Sequence, residues 1–216
     1  MKTTIYPKMN FLIVISAPSG GGKSTICKAI LEIMPNVDYS ISYTTRQPRI
    51  NELDGKDYFF VSEKKFQELI GENDFLEYAL VHNNWYGTSR SFILDKFSVN
   101  KHVIMDIDPQ GARSIVASGI DVVTIFLLPP DIDTLEDRLR KRNTDSAETI
   151  NLRLENAQHE LESLEEYDYL VINDDLGIAV DTVKKIIEAE ENRVTRYSSP
   201  EKIFYGGRLN DKEADN

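Results

Sequence analysis

Phe11-Leu12-Ile13-Val14-Ile15 is an unbroken apolar run, and Ser16 leads from it into Ala17-Pro18-Ser19-Gly20-Gly21-Gly22-Lys23-Ser24. From Thr25 to Met34 the residues have helical spacing. Buried strand, glycine-rich turn and helix in immediate succession are the context that a phosphate-binding P-loop requires. Backbone N–H groups of such a turn converge on phosphate oxygens, and the helix N-terminus adds partial positive charge. Lys23 reaches the terminal phosphates as a point charge, and the Ser24 hydroxyl suits Mg²⁺. The candidate triphosphate-binding set is therefore Ala17, Pro18, Ser19, Gly20, Gly21, Gly22, Lys23, Ser24 and Thr25. Ala17 stands where the pattern G-x-x-x-x-G-K-[ST] has its first glycine. One methyl is tolerated there as long as the position needs no positive φ. Such a loop specifies a nucleoside triphosphate and leaves the acceptor open.

The rest of the chain alternates between strand and helix patterns. Tyr39–Thr45 alternates as one strand, 47–56 is a loop around Pro48 and Gly55, and Tyr58–Val61 is a short strand. Ser62 is placed to cap a helix over Glu63–Ile70, with Gly71 ending it. Phe75–His82 and the stretch around Trp85-Tyr86-Gly87 form two strands joined at Asn83-Asn84. Helix is then expected over Ser89–Phe97, Pro109–Ser118, Asp131–Lys141 (capped by Asp131 or Asp133), Ala147–Leu164 and Leu176–Arg196. Strand is expected over Lys101–Ile107, Val122–Leu128 and Tyr167–Ile172. Parallel strands linked by helices imply a central sheet covered on both faces. Short strands with one helix over 39–88 interrupt that alternation. Residues 1–9 have the look of a loose leader, and the polar stretch from Tyr197 to Asn216 that of a flexible acidic tail.

Composition narrows the function. The net charge of −11 argues against a nucleic-acid binder, which needs a basic footprint. Acid is concentrated between Glu148 and Glu191, whereas arginines cluster at Arg46/Arg49 and at Arg138–Arg142. That distribution suits a small anionic substrate better than a polyanion. No apolar run approaches the roughly 20 residues of a membrane span, so no membrane partner is expected. A single cysteine, Cys27, excludes an internal disulfide and fits a reducing cytoplasm. The three histidines are scattered without metal-ligand spacing.

Three further groups carry chemistry. Arg46 and Arg49 flank Pro48, a pair of planar cationic forks suited to bidentate phosphate binding. Tyr58 and Tyr86 could add hydroxyl donors; on local pattern alone the two arginines could equally be solvated loop charges. Asp106 and Asp108 end the Lys101–Ile107 strand, where a carboxylate would lie beside the P-loop and hold Mg²⁺, through water, or would simply begin a turn. Arg138 and Arg142 are four apart on one helix face and can reach one target, with Arg153 following in the next helix.

Taken together these segments resemble the guanylate kinase family. The matching residues are the P-loop, Ser42–Arg49, Gly55–Phe59, Phe75-Leu76-Glu77, Trp85-Tyr86-Gly87-Thr88, Met105–Gly111 and the arginines Arg138, Arg142 and Arg153, in this order from about Phe11 to Arg196. Two positions depart from the family pattern: Asn51 replaces a glycine after Arg49, and Asn143 one after Arg142. The resemblance implies an α/β P-loop kinase fold with a central parallel sheet, a small mixed β GMP-binding region and a helical lid. It divides the chain into an extension over 1–9, a kinase domain over 10–197 and a tail over 198–216. Within the domain the core would be 10–38, 90–130 and 157–197, the GMP-binding region 39–89 and the lid 131–156. It further implies transfer of the γ-phosphoryl group of ATP, with Mg²⁺, to GMP or dGMP. Arg46, Arg49, Tyr58 and Tyr86 would hold the GMP phosphate. Ser42, Glu77, Thr88 and Asp108 would face guanine, whose N1–H and N2 amino donate and whose O6 accepts. Lys23, Arg46, Arg138, Arg142 and Arg153 would act on the transferring group, and Ser24 and Asp106 would serve Mg²⁺. The oligomeric state stays open between monomer and homodimer. A rival from another class is a non-catalytic binding module of the same fold. The presence of Lys23, Ser24 and the arginine set argues against it, and the guanine-facing set argues against a kinase for another acceptor.

Overall fold

The computed structural model describes residues 8–141, 146–198 and 200. A five-stranded, wholly parallel sheet forms the centre, in the spatial order β2 (Val37–Tyr39), β7 (His102–Asp106), β1 (Leu12–Ser16), β8 (Val122–Leu128), β9 (Tyr169–Ile172). A second sheet of four short strands runs β4 (Phe59–Phe60), β3 (Tyr43–Thr44), β6 (Asn84–Ser89), β5 (Phe75–Val81). Its β3–β4 pair is parallel and its other pairs antiparallel. This is the P-loop kinase architecture.

The central strand shows why both faces are covered. Successive side chains of a strand point to opposite faces, and every residue of β1 is apolar and buried except the buried Ser16. Phe11, Ile13 and Ile15 pack against Ile26, Cys27 and Ile30 of α1 (Lys23–Ile33) and Ala179, Val183 and Ile187 of α7 (Leu176–Glu190). Leu12 and Val14 pack on the other face against Ile93 of α3 (Arg90–Ser98) and Ala112 and Ile115 of α4 (Pro109–Ala117). The small sheet has its own core, in which Phe66 of α2 (Glu63–Gly71) stacks on Phe75. A fourth cluster joins α5 (Ile132–Lys141) to α6 (Ala147–Leu161) through Leu135, Leu139, Ile150 and Ala157.

Several helix starts follow from side-chain caps. Ser62, Ser89, Asp108, Ser146 and Asp175 each accept from a backbone N–H three residues on. Asp131 does the same for Thr134, which holds its carboxyl below the usual range.

Four sequence expectations are corrected. The alternation over 39–45 is two strands in two sheets: β2 ends where the Ser40 N–H donates to Ile104 O, and Tyr43 begins β3 in the small sheet. The β5–β6 turn is His82-Asn83, one residue earlier than expected. Both have positive φ, 47° and 63°, as a two-residue hairpin of this twist demands. Helix α7 stops at Glu190, and Val194–Arg196 is a separate 3-10 turn. Lys8 and Met9 are tied in: Lys8 bridges to Tyr197, and the Met9 N–H donates to Arg196 O at 2.7 Å.

Candidate active site

The loop between β1 and α1 is set by backbone conformation. Gly20 and Gly22 have φ of 93° and 96°, open to glycine and strained for other residues. A Cβ on Gly22 would lie 2.5 Å from Asn173 Nδ2, and one on Gly21 2.7 Å from the Ala17 methyl. Ala17 is fully buried and is not among the positive-φ residues, so its methyl costs the loop nothing in backbone strain. Lys23 Nζ donates to Ala17 O at 2.6 Å, which folds the side chain back over the loop. Ser24 follows on the first turn of α1, and its hydroxyl donates to Asp106 Oδ2 at 2.7 Å. The parallel pairing Ile15↔Asp106 makes this contact possible by bringing the end of β7 level with the end of β1.

A second space opens between the small sheet and the end of β7. This cleft of about 580 Å³ is lined by Ser42, Tyr58, Glu77, Tyr86, Thr88, Asp106 and Asp108, among others. At its floor Thr88 Oγ1 donates to Glu77 Oε1 at 2.7 Å. Burial pushes the Glu77 carboxyl above its usual value; the Thr88 hydrogen bond opposes this and Asp108 adds to it. Asp108 caps α4 by accepting from the Gly111 N–H at 2.8 Å. Burial likewise raises Tyr58, whose ring meets that of Tyr86 edge-on at 5.9 Å. Arg46 stands at the rim: its Nε donates to Tyr86 Oη at 3.2 Å, and its guanidinium lies 5.4 Å over the Tyr58 ring. Arg49 is exposed beside it.

The remaining arginines surround the loop. Arg138 Nη2 donates to Asn173 O at 2.8 Å, and Arg153 Nη1 reaches Ser19 Oγ at 3.4 Å. A shallow space of about 330 Å³ is lined by Gly20, Gly22, Thr25, Arg138 and Lys141. Arg142 and Asn143 lie outside the described residues. Asp106 thus joins the two spaces: it accepts from Ser24 at the loop and lines the cleft, with Arg138 and Arg153 on the loop side and Arg46 at the cleft rim.

The guanylate kinase family model matches residues 9–190. The chain belongs to the guanylate kinase family. Among curated guanylate kinases, that of Rickettsia typhi is 46% identical over 186 residues, covering 86% of this chain and 94% of the relative. That of Caldanaerobacter subterraneus is 47% identical over 189 residues, covering 88% and 92%. The crystal structure of guanylate kinase from Anaplasma phagocytophilum superposes with a TM-score of 0.72 at 29% identity, covering 94% of this chain and 97% of that one.

Two residues of this guanylate kinase site escape the sequence reading. Asn173, directly after β9, is buried and donates from Nδ2 to Gly21 O at 2.8 Å, pinning the loop from the far side. Tyr39, the last residue of β2, donates its hydroxyl to Asp106 Oδ1. Burial first and Asp106 second raise the Tyr39 hydroxyl far above its ordinary value, so it stays a donor. The available signal for both was position: Tyr39 ends and Asn173 directly follows a strand of the sheet whose other strand ends carry the P-loop and Asp106.

Proposed function

We propose that this chain transfers the γ-phosphoryl group of ATP to GMP or dGMP, giving ADP and GDP. The observation that carries this reading is the cleft that gathers Ser42, Glu77, Thr88 and Asp108, opening beside the P-loop across Asp106. Guanine needs acceptors for N1–H and N2 and a donor for O6. Glu77 and Asp108 are the acceptors. The Thr88 proton is directed to Glu77, so Ser42 is the nearer choice for O6. Adenine would set its N1 lone pair against the Glu77 carboxylate. Unpaired buried polar groups of that kind discriminate by several kcal/mol, roughly 10⁴-fold in favourable cases.

The acceptor is already a phosphate oxyanion, so the reaction needs no strong general base. The chain positions and neutralises instead. The loop N–H groups and Lys23 bind the donor phosphates, and Arg46, Arg49, Tyr58 and Tyr86 orient the acceptor phosphate. Arg138, Arg142 and Arg153 spread positive charge over the transferring group. Ser24 and Asp106 offer hard oxygen donors 2.7 Å apart, a set that fits Mg²⁺. When bound, Mg²⁺ would neutralise phosphate charge at this position. Segment 131–156 acts as a lid over the donor and 39–89 as the acceptor-binding region, and their closure excludes water from the transfer. A cytoplasmic location suits the single buried thiol of Cys27.

The test is a coupled ADP-release assay against a panel of nucleoside monophosphates. Activity confined to GMP and dGMP is expected. Equal turnover of AMP or CMP would reject the guanine-facing role of the cleft, and silence with every acceptor would revive the non-catalytic reading.

A further inference from the structure

We propose that Glu52 is a positioning residue for the acceptor phosphate: it fixes the Arg46 guanidinium so that its other donor edge stays turned toward Tyr86 and the cleft. The inference rests on the GMP reading above. Its basis is a count of donors. A guanidinium has five N–H groups. Arg46 Nη1 uses both of its own, one on Gln47 O at 2.8 Å and one on Glu52 Oε2 at 3.0 Å. Nη2 gives one to Glu52 Oε1 at 2.9 Å, and Nε points at Tyr86 Oη at 3.2 Å. Glu52 therefore occupies the Nη1–Nη2 edge as a bidentate carboxylate. What it leaves is the Nε–Nη2 edge, where Nη2 keeps one N–H and Nε donates to the hydroxyl of Tyr86, a residue that lines the cleft and that an incoming anion would share or displace. A second fork-shaped contact with an anion fits that edge.

The geometry also explains how Glu52 reaches Arg46. The Glu52 N–H donates to Arg49 O at 3.1 Å, and Asn51 has a φ of 74°. Positive φ at the third position is what a turn of this kind requires, and asparagine tolerates it without glycine. The turn brings the Glu52 carboxylate back so that Oε2 also accepts from the Arg49 N–H at 2.7 Å. Hydrogen bonds first from Arg46 and then from the Arg49 backbone hold the Glu52 carboxyl below its usual range, so it is ionised at neutral pH. Stacking over Tyr58 and Phe60, at 5.4 and 5.8 Å, completes the clamp on the guanidinium. Because Glu52 takes the edge away from Tyr86, an incoming phosphate need not displace it.

Glu52→Gln keeps the shape of the side chain and removes the charged bidentate contact. Calorimetric binding of GMP and of guanosine, which lacks the phosphate, separates the positions that matter. Expected is a loss on the order of tenfold in GMP affinity, the scale of a misplaced orienting group, with guanosine affinity and the ATP KM unchanged. Asn51→Val, which strains the turn at positive φ without touching Glu52, is expected to give the same phosphate-selective loss. Tighter GMP binding in Glu52→Gln would mean that Glu52 competes with the phosphate and would overturn the proposal. So would unchanged GMP affinity, or a loss shared equally by guanosine, the mark of a merely structural loop. Wild-type protein that binds no GMP would reject the acceptor reading itself rather than the part of Glu52.

Discussion

Ser24 and Asp106, 82 residues apart in the chain, are joined by a 2.7 Å hydrogen bond from hydroxyl to carboxylate. The bond exists because β1 and β7 are parallel neighbours, so the start of α1 and the end of β7 fall on the same edge of the sheet. Tyr39 holds the other oxygen of Asp106, which leaves the carboxylate oriented on both sides. Asp106→Asn turns one of those acceptor positions into a donor that faces another hydroxyl. The half-saturating Mg²⁺ concentration for turnover is expected to rise about tenfold to a hundredfold, the usual effect of disturbing a group that orients a metal's ligands. GMP binding without Mg²⁺ is expected to hold, as a titration with each ligand in turn will read.

Glu77 gives the site a pH signature. Burial raises its pKa above 4.5, so the folded protein keeps this proton to higher pH than the unfolded chain does. By linkage, the stability contributed by Glu77 is present in full below about 4.5 and declines as pH rises through the raised value. Under the proposed guanine contact, binding runs the opposite way, since the ionised carboxylate would be the acceptor. Guanosine affinity should therefore weaken as pH falls through that same raised value. Glu77→Gln is expected to flatten this acidic limb and to weaken guanosine about tenfold to a hundredfold, the cost of an unmatched buried polar pair. Guanosine is the better probe because GMP carries a titrating phosphate of its own. An acidic limb that persists in Glu77→Gln would assign it to another group.

How far the sequence carried is visible in single residues. The unbroken apolar run Phe11–Ile15 gives the two-faced core directly, because a strand has a period of two and each parity found its own helices. The cleft residues were legible by type, as acids and hydroxyls in short motifs, and the pairing Glu77↔Thr88 then puts two of them side by side. The sheet switch at Ser40–Ser42 was not legible, since alternation continues unbroken while the chain passes between sheets. Helical spacing likewise continues beyond Glu190, yet the helix ends there. Arg196 is turned inward instead, over the Phe11 ring at 4.1 Å, an outcome of tertiary packing that local periodicity does not encode. Asn173 carries no local signal because its partner, Gly21 O, is 152 residues away.

Asn173→Ala tests that partnership. The variant frees the Gly21 carbonyl and also opens space where Gly22 now packs against the amide. A loss of roughly 1–3 kcal/mol is expected for a buried hydrogen bond broken from one side. The loop conformation should loosen with it, so the ATP KM should rise while GMP affinity is retained. Equal effects on both nucleotides would place Asn173 in the general fold rather than at the donor loop.

Arg196 makes the sharpest prediction outside the site. Its guanidinium pairs with Glu190 at 3.2 Å, the two side chains being 4% and 2% exposed, and it also pairs with Asp121. Its carbonyl accepts from the Met9 N–H, so the 3-10 turn, Met9 and the end of α7 close on one another. Removing one member of a buried pair costs up to about 3–5 kcal/mol when the other charge is left wholly uncompensated, and less where it keeps other partners. Arg196→Met keeps most of the volume against Phe11 and leaves the buried Glu190 carboxylate with the Tyr169 hydroxyl and the exposed Arg193, at 3.4 Å, as its remaining partners. Chemical denaturation is expected to show that loss at neutral pH. Adding Glu190→Gln to Arg196→Met should recover part of the stability at neutral pH, since the amide needs no counter-charge. Turnover at a temperature where both proteins stay folded should be unchanged, because the pair lies at the opposite end of β1 from the loop. A double variant no more stable than Arg196→Met alone would show that packing against Phe11, and not charge pairing, is what Arg196 supplies.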